Sequence, residues 1–324
     1  MKQAFLISIA LIISPFFLFG QASDVAKTLE VQWPIGTHIQ ITRVEWSEEL
    51  KKEKYVVEDS SEYAFEIKVV GGDDETLDIE YLIDDPIYSH FDDWNHALQD
   101  EAEKKMTLDC KINKKTGEIQ LPNWEELAER TKQKYGHIQE ALVSADSEMS
   151  SFFDLIFGEF IRSLQTEQGI INLYAGDLVV LLKPYGKKYQ YNTPVVIETE
   201  ESNPFNKKEK LKSVEKYTLL TTTDRDHYTI NYDIEFDMEL VIKIMREVFQ
   251  KLIGAMSSNA KSAEEKQKEL DAIKMEMTNK STYIIGVSST LPGSVDMVME
   301  VNGFDGKMNR STHKHVNYRI ENKK

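Results

Sequence analysis

Apolar and polar side chains change places every second residue over much of this chain, the beat of a β-strand with one buried face. It starts at Thr37–Trp46, where Ile39, Ile41 and Val44 stand among polar residues. Tyr63, Phe65, Ile67 and Val69 repeat it, as do Leu77, Ile79 and Tyr81 after the Gly71-Gly72-Asp73-Asp74 cluster. Two alternating runs around a Gly/Asp cluster predict an antiparallel hairpin. Met106, Leu108, Cys110 and Ile112 form a further strand, and Asn113 to Gly117 a turn in which the glycine takes the left-handed conformation. Ile119 and Leu121 continue on the return strand, Pro122 stops the ladder, and Asn123 with Glu126 forms a helix start of the capping-box kind.

The beat lengthens to three and four in other segments. The helix that starts after Asn123 is expected to be interrupted near Gly136. A second helix, Ser147 to Gln165, presents Phe152, Phe153, Ile156, Phe157, Phe160, Ile161 and Leu164 as one broad stripe. Such a stripe is either core or the lining of an apolar ligand site. Strands are expected again from Leu178 to Glu200, followed by a lysine-rich connector. A hairpin around Thr223 to Asp226 comes next, with Tyr228, Ile230, Tyr232, Ile234 and Phe236 in clean alternation. Met238 to Met256 reads as an amphipathic helix. A solvated helix from Ser262, with Leu270, Ile273 and Met277 on its apolar side, follows. Three strands close the chain, with turns at Pro292-Gly293 and at Asn302-Gly303 with Asp305-Gly306. Between Pro86 and Lys104 the pattern gives a loop and a short helix over Asp93 to Lys104.

The resulting fold class is α+β: a large antiparallel curved sheet, or sheets, built of hairpins and packed against a few long amphipathic helices. The chain repeats its plan of hairpins, helix and hairpins, so two similar halves meeting near residues 168–212 are one division of the region from 23 to 324; one undivided domain is the other.

The first residues change the picture. Lys2 is the only charge before Asp24, and Ala4 to Gly20 is almost wholly apolar. This is the pattern of a secretory signal peptide over 1–22, with cleavage after Gly20 or Ala22; an uncleaved anchor is the competing reading. The expected location is the periplasm or the medium of a Gram-negative type of bacterium. The net charge of −16 repels phosphate backbones and argues against nucleic acid as a partner. With one cysteine, Cys110, no internal disulfide can form; its place on the face of Leu108 and Ile112 makes it a buried thiol.

Candidate chemistry is sparse. His90, Asp92, Asp93 and His96 offer metal-ligand types within seven residues, at a spacing that matches no established motif. His313 and His315 sit two apart on one strand face, which allows chelation, but no third ligand can be named from the sequence. No nucleophile elbow, P-loop, dinucleotide fingerprint or HExxH segment is present, and no cofactor is expected.

The apolar leader ending in "FGQ", the alternating body and the "NKKTGEI" hairpin running into a helix resemble exported, functionally uncharacterised proteins of Bacteroidota type. The layout of antiparallel strands around apolar helices is also similar to LolA-type half-barrel carriers, which implies a site for acyl chains but assigns no residue here. The leading expectation is thus a non-enzymatic binding or carrier module for an apolar small molecule. An interaction protein of the cell envelope is the alternative, and a hydrolase with a site assembled from distant residues the third reading.

Overall fold

The alternating runs pair into a single antiparallel meander. The structure, a computed structural model, describes residues 26–51, 54–86, 105–145, 161–162, 164–202, 210–256, 274–304 and 309–323. The strands are β1 (Lys27–Thr28), β2 (His38–Lys51), β3 (Lys54–Gly72), β4 (Thr76–Asp84), β5 (Lys105–Asn113), β6 (Ile119–Gln120), β7 (Lys188–Tyr189), β8 (Pro194–Ser202), β9 (Lys210–Leu220), β10 (His227–Phe236), β11 (Lys274–Gly286), β12 (Pro292–Phe304) and β13 (Asn309–Asn322). The helices are α1 (Trp124–Ala145), α2 (Glu167–Tyr174), α3 (Gly176–Leu182) and α4 (Met238–Met256).

Eleven strands form one sheet in the order β6-β5-β4-β3-β2-β13-β12-β11-β10-β9-β8, and β1 pairs with β7 apart from it. The strands before α1 fill one side and those after α3 the other. They join where β2 meets β13, from Ile39 opposite Asn322 to Glu49 opposite Thr312.

One face of the sheet carries the core: Ile39 and Ile41 of β2, Phe65, Ile67 and Val69 of β3, Leu77, Ile79, Tyr81 and Ile83 of β4, Tyr217 and Leu219 of β9, and Tyr283 and Ile285 of β11 are all buried. Against this face lie α2, α3 and the loop after them. Ile170, Ile171, Tyr174, Leu178, Leu181, Leu182, Tyr185 and Tyr189 are each less than 5% exposed. Polar bonds fix the seat: Tyr318 of β13 donates to Asp177 at 2.7 Å, and Lys183 donates to the Tyr232 hydroxyl at 2.9 Å. Helix α1 packs on α2 through Thr131 and Tyr174, whose hydroxyls are 2.7 Å apart.

The α+β expectation is therefore corrected. The molecule is mostly sheet, one antiparallel array of 11 strands, and the helices seated on its core are short, 8 residues in α2 and 7 in α3, rather than long amphipathic ones. Leu178 to Leu182, expected as strand, is α3. Leu178 to Leu182 is apolar at every position, so no polar side marks a helical period and the Val179-Val180 pair reads as strand, although only Leu178, Leu181 and Leu182 are buried. Helix α2 starts at Thr166, whose side chain accepts from the Gly169 amide at 3.1 Å. α1 runs through Gly136 unbroken, since one glycine costs about 1 kcal/mol against alanine and does not break a helix. Met277 lies in β11 opposite Val301, not on a helix. Pro292-Gly293 and Asn302-Gly303 belong to β12 rather than to turns; the turn before β12 occupies 287–289 and leads into Thr290, at φ 51°.

The expected turn after β5 is present. Asn113 Oδ1 accepts from the amides of Lys115 and Thr116 at 2.9 and 3.0 Å, and Gly117 has φ 74°. Gly186, at φ 75°, crosses this turn so closely that a Cβ there would stand 2.7 Å from the Thr116 carbonyl oxygen. Of the helix expected from Ser147 to Gln165 only the end is described, with 161–162 helical and 164–165 a turn; the rest of it, the helix expected from Ser262 up to residue 273 and that over Asp93 to Lys104 lie outside the described residues.

Candidate functional site

Because its strands twist, a sheet this wide curls, and residues from strands as far apart as β4 and β11 line one hollow. The hollow is about 790 Å3, within the range of small-molecule sites. Its apolar wall includes Phe65, Ile83, Leu173, Val180, Met297 and Val316. Alternation places these side chains: Met297 stands opposite Val316, and Val316 opposite Glu45, all on one face of the sheet.

The polar part of the hollow is self-neutralising. Arg43 pairs with Glu45, and its guanidinium is 3.5 Å from Asp177 at the start of α3. Lys314 is 3.6 Å from the same Glu45. Burial works against the charge of Arg43, but the facing Asp177, Tyr318, Glu45 and Tyr63 together raise its pKa and hold it protonated. The Tyr318 phenol is pushed well above its ordinary value, first by burial and then by Asp177. Two polar atoms among the hollow's lining residues are buried without a hydrogen-bond partner, the Arg43 Nε and the Asn279 Oδ1. Ser281 Oγ and Tyr283 hydroxyl, two and four residues along β11 on the same face, are also buried and unpartnered. Such atoms are uncommon in folded proteins and each calls for a partner.

Behind α3 the tyrosines form a second polar group. Tyr217 and Tyr232 both donate to Glu215, at 2.8 and 3.0 Å, and Lys183 is 3.5 Å from the same carboxylate. Lys187 lies over the Tyr217 ring at 4.2 Å; burial pulls its pKa down to about 8, with Glu215 opposing and Lys183 assisting. This group is fully engaged and holds α3 to β9 and β10.

The residues singled out from sequence divide. Phe152, Phe153, Ile156, Phe157 and Phe160 lie outside the described residues, as do His90, Asp92, Asp93 and His96. Ile161 is half-buried against the core, and Leu164 is buried in it. Cys110 is buried on β5; burial, then Asp109, pushes its thiol up to about 12, which makes it inert as a nucleophile. His313 and His315 do share a strand face, on the side of the sheet away from the hollow. There they meet Glu48 of β2: the ligand atoms of the three residues all lie within 4.8 Å of one another. Glu48, Arg43, Asp177 and Asn279 were missed in the sequence. A β2–β13 register joining residues more than 260 positions apart leaves no local signal.

No family model and no curated protein matches the chain. Neither the Bacteroidota resemblance nor the LolA resemblance is thus supported by a sequence match. Among solved structures, the chain is similar to that described as "Lipid-protein interactions in lipovitellin", at 9% identity and TM-score 0.37 over 89% of this chain; it spans 25% of that chain's length. A second likeness, to Ail, the attachment invasion locus protein of Yersinia pestis, has 5% identity and TM-score 0.14, covering 89% of this chain and 100% of that one.

Proposed function

We propose that this protein is a binding or carrier module that takes up an amphipathic small molecule in the hollow of its sheet. The observation that carries the reading is the pairing of an apolar wall, Phe65 to Val316, with two orphaned polar atoms in the same lining, a donor on Arg43 and an acceptor on Asn279. A ligand's apolar chain would displace water from the wall, at about 25 cal/mol for each Å2 removed from solvent. Its polar end would accept from Arg43 Nε and donate to Asn279 Oδ1. Because Arg43 and Lys314 are already balanced by Asp177 and Glu45, the polar end that fits is uncharged and both accepts and donates: a hydroxyl, or an amide that keeps an N–H. The sequence pattern of an apolar leader suggests that this uptake takes place outside the cytoplasm.

Uptake of Nile red, an uncharged dye that brightens in apolar surroundings, tests the reading. The expected result is saturable binding of one dye per chain, reversed by a monoacylglycerol. Met297→Arg, a half-buried wall position, is expected to lower it by about tenfold or more, because a stranded charge costs more than 1.4 kcal/mol. Dye binding that does not saturate, or that Met297→Arg leaves unchanged, would sink the proposal.

A further inference from the structure

The face of the sheet turned away from the hollow carries an arrangement that apolar-ligand binding does not use. Where β2 meets β13, His313 stands directly opposite Glu48 and His315 directly opposite Trp46. On its other side His313 faces Glu300 of β12. Alternation aims all of these side chains the same way, so two imidazoles and a carboxylate converge on one spot.

Neither imidazole is committed where it points. His315 Nε2 is buried and has no hydrogen-bond partner, and it stands 3.9 Å from Glu48 Oε2, too far for a hydrogen bond. His313 Nε2 stands 3.9 Å from Glu300 Oε1, equally beyond one. An ion bound at about 2.0–2.2 Å to nitrogen and oxygen ligands holds them about 3–4 Å apart; Glu48 and His315 stand at that gap, and the ligand atoms of Glu48, His313 and His315 all lie within 4.8 Å of one another, so a small side-chain adjustment closes the set on an ion.

The ligands are also held in place by their neighbours. The Trp46 indole stacks on His315, with ring centres 4.7 Å apart and planes inclined by 3°. The same indole donates its Nε1–H to Glu48 Oε1 at 3.2 Å, leaving Oε2 turned to the imidazoles. Tyr55 stacks on His313 at 4.2 Å, and its hydroxyl is 3.1 Å from Ser311 Oγ. Asn302 donates to Glu300 at 2.8 Å. Neighbours that fix the orientation of first ligands are half of what makes a metal site. Both histidine side chains are 22% exposed and Glu48 26%: open enough for an ion to enter, closed enough to weaken competition from water.

We propose that Glu48, His313 and His315 bind one divalent transition-metal ion, with Glu300 flanking it, at the seam between the two sides of the sheet. Two imidazoles and one carboxylate suit zinc and its neighbours in the first transition row, and exclude magnesium and calcium, which demand oxygen ligands. The ion would clamp β2 to β13, the junction between the first and last strands of the meander. Binding to the folded chain alone raises its stability by mass action. Metal and protons compete for the imidazoles, so affinity falls as the pH is lowered.

Isothermal titration of untagged, chelator-stripped protein with ZnCl2 is the test. One zinc per chain is expected, undisturbed by excess Mg2+ or Ca2+, with a rise in melting temperature. His313→Ala and His315→Ala should each weaken binding by at least about 100-fold and Glu48→Gln by about tenfold, while His90→Ala/His96→Ala leaves it unchanged. CuCl2 should quench indole fluorescence in the parent and not in Trp46→Phe. The proposal is overturned if the parent binds no zinc, if the two single alanine variants bind it as tightly as the parent, or if the His90/His96 variant is the one that loses it. Should the alanine variants lose their β-sheet circular dichroism, protection of the parent from diethyl pyrocarbonate decides. Zinc must shield residues 313 and 315 in the peptide map, and equal modification with and without zinc refutes the site.

Discussion

The central strands are different materials at their two ends. β2 begins with the fully buried Ile39 and Ile41 and continues to the half-exposed Trp46 and Glu48. β3 runs the other way, from the exposed Tyr55, Val56 and Val57 to the buried Phe65, Ile67 and Val69. β11 goes from half-buried Met275 and Met277 to buried Tyr283 and Ile285. The reason is length. A 19-residue strand such as β3 spans roughly 63 Å, whereas α2 and α3 laid end to end cover only about 23 Å. At one end, packing on α2 and α3 holds the sheet. At the other, among the described residues, strand pairing, side-chain pairs such as Trp46 with His315 and the contact of α4 with β11 hold it. The packed end specifies the fold and supplies Phe65, Ile83, Leu173 and Val180 to the wall of the hollow, while the open end is free to carry the histidine pair.

Matched truncations should break this comparison most plainly. Leu178, fully buried in α3 between the sheet and the loop, is expected to cost about 2–5 kcal/mol when replaced by alanine. Val298→Ala at the open end, 38% exposed, should cost below about 1 kcal/mol. Urea denaturation of both variants measures the difference, and equal losses would show that the two ends form one core. A matched glycine pair sharpens the point. Gly186→Ala drives a Cβ to 2.7 Å from the Thr116 carbonyl at a positive φ, and should destabilise by about 1–3 kcal/mol. Gly303→Ala, in β12 at the open end, meets nothing nearer than the Lys274 oxygen at 3.8 Å and should change stability by less than about 0.5 kcal/mol.

The packed end also explains what could be read from sequence. Strand segments with one buried and one wet face announced themselves, β4 with Leu77, Ile79, Tyr81 and Ile83 in strict alternation being the clearest, whereas the exposed first half of β3 and the start of β11 at Met275 and Met277 did not. The α4 boundaries follow from an amphipathic stripe and match the structure from Met238 to Met256. α3 was misread because Leu178 to Leu182 is apolar at every position, which erases the polar half of a helical pattern. Leu29, Val31 and Trp33, all buried, alternate over too few residues to register as an element. Of the candidate sites, the His313–His315 pair was legible as a pair, because a two-residue spacing on a strand fixes a shared face. Its partner Glu48 was not, because register across β2 and β13 is set by the whole meander. The hollow's polar seat was likewise hidden: Arg43 reads as an ordinary outward charge until Asp177 is brought over it by α3.

Charge buried at the packed end should show itself in the pH dependence of stability. Lys187 has a pKa of about 8 in the folded chain against 10.5 for a free side chain, because burial disfavours its charge. Between those values the unfolded chain holds a proton that the folded chain does not, so stability rises with pH across that window. Above about pH 10 the sign reverses: unfolded tyrosines ionise while burial holds Tyr185, Tyr189 and Tyr283 protonated in the fold, so stability falls. Urea midpoints measured at intervals from pH 7 to 11 should pass through a maximum. Lys187→Met should be more stable than the parent at pH 7, lose the rise, and keep the fall above pH 10. Lys274→Met, exposed at the open end, should leave the whole profile in place.

The smallest expected effect separates the ends without unfolding anything. Cys110 sits at 2% exposure on β5, its thiol pushed up to about 12 by burial and Asp109, and a thiol in that state offers neither access nor thiolate to an alkylating reagent. In native protein at pH 8, iodoacetamide should therefore leave Cys110 unmodified for as long as the packed end stays closed, and the labelling rate then reports its opening. Val298→Cys adds a second thiol on β12 at the open end, on the face that carries His315, without altering the packed end. That thiol should react at close to the rate of a free peptide thiol in the same tube. If Cys110 labels as fast as the new cysteine, the packed end opens as readily as the open one, and the distinction between a sealed end and a working end of the sheet fails.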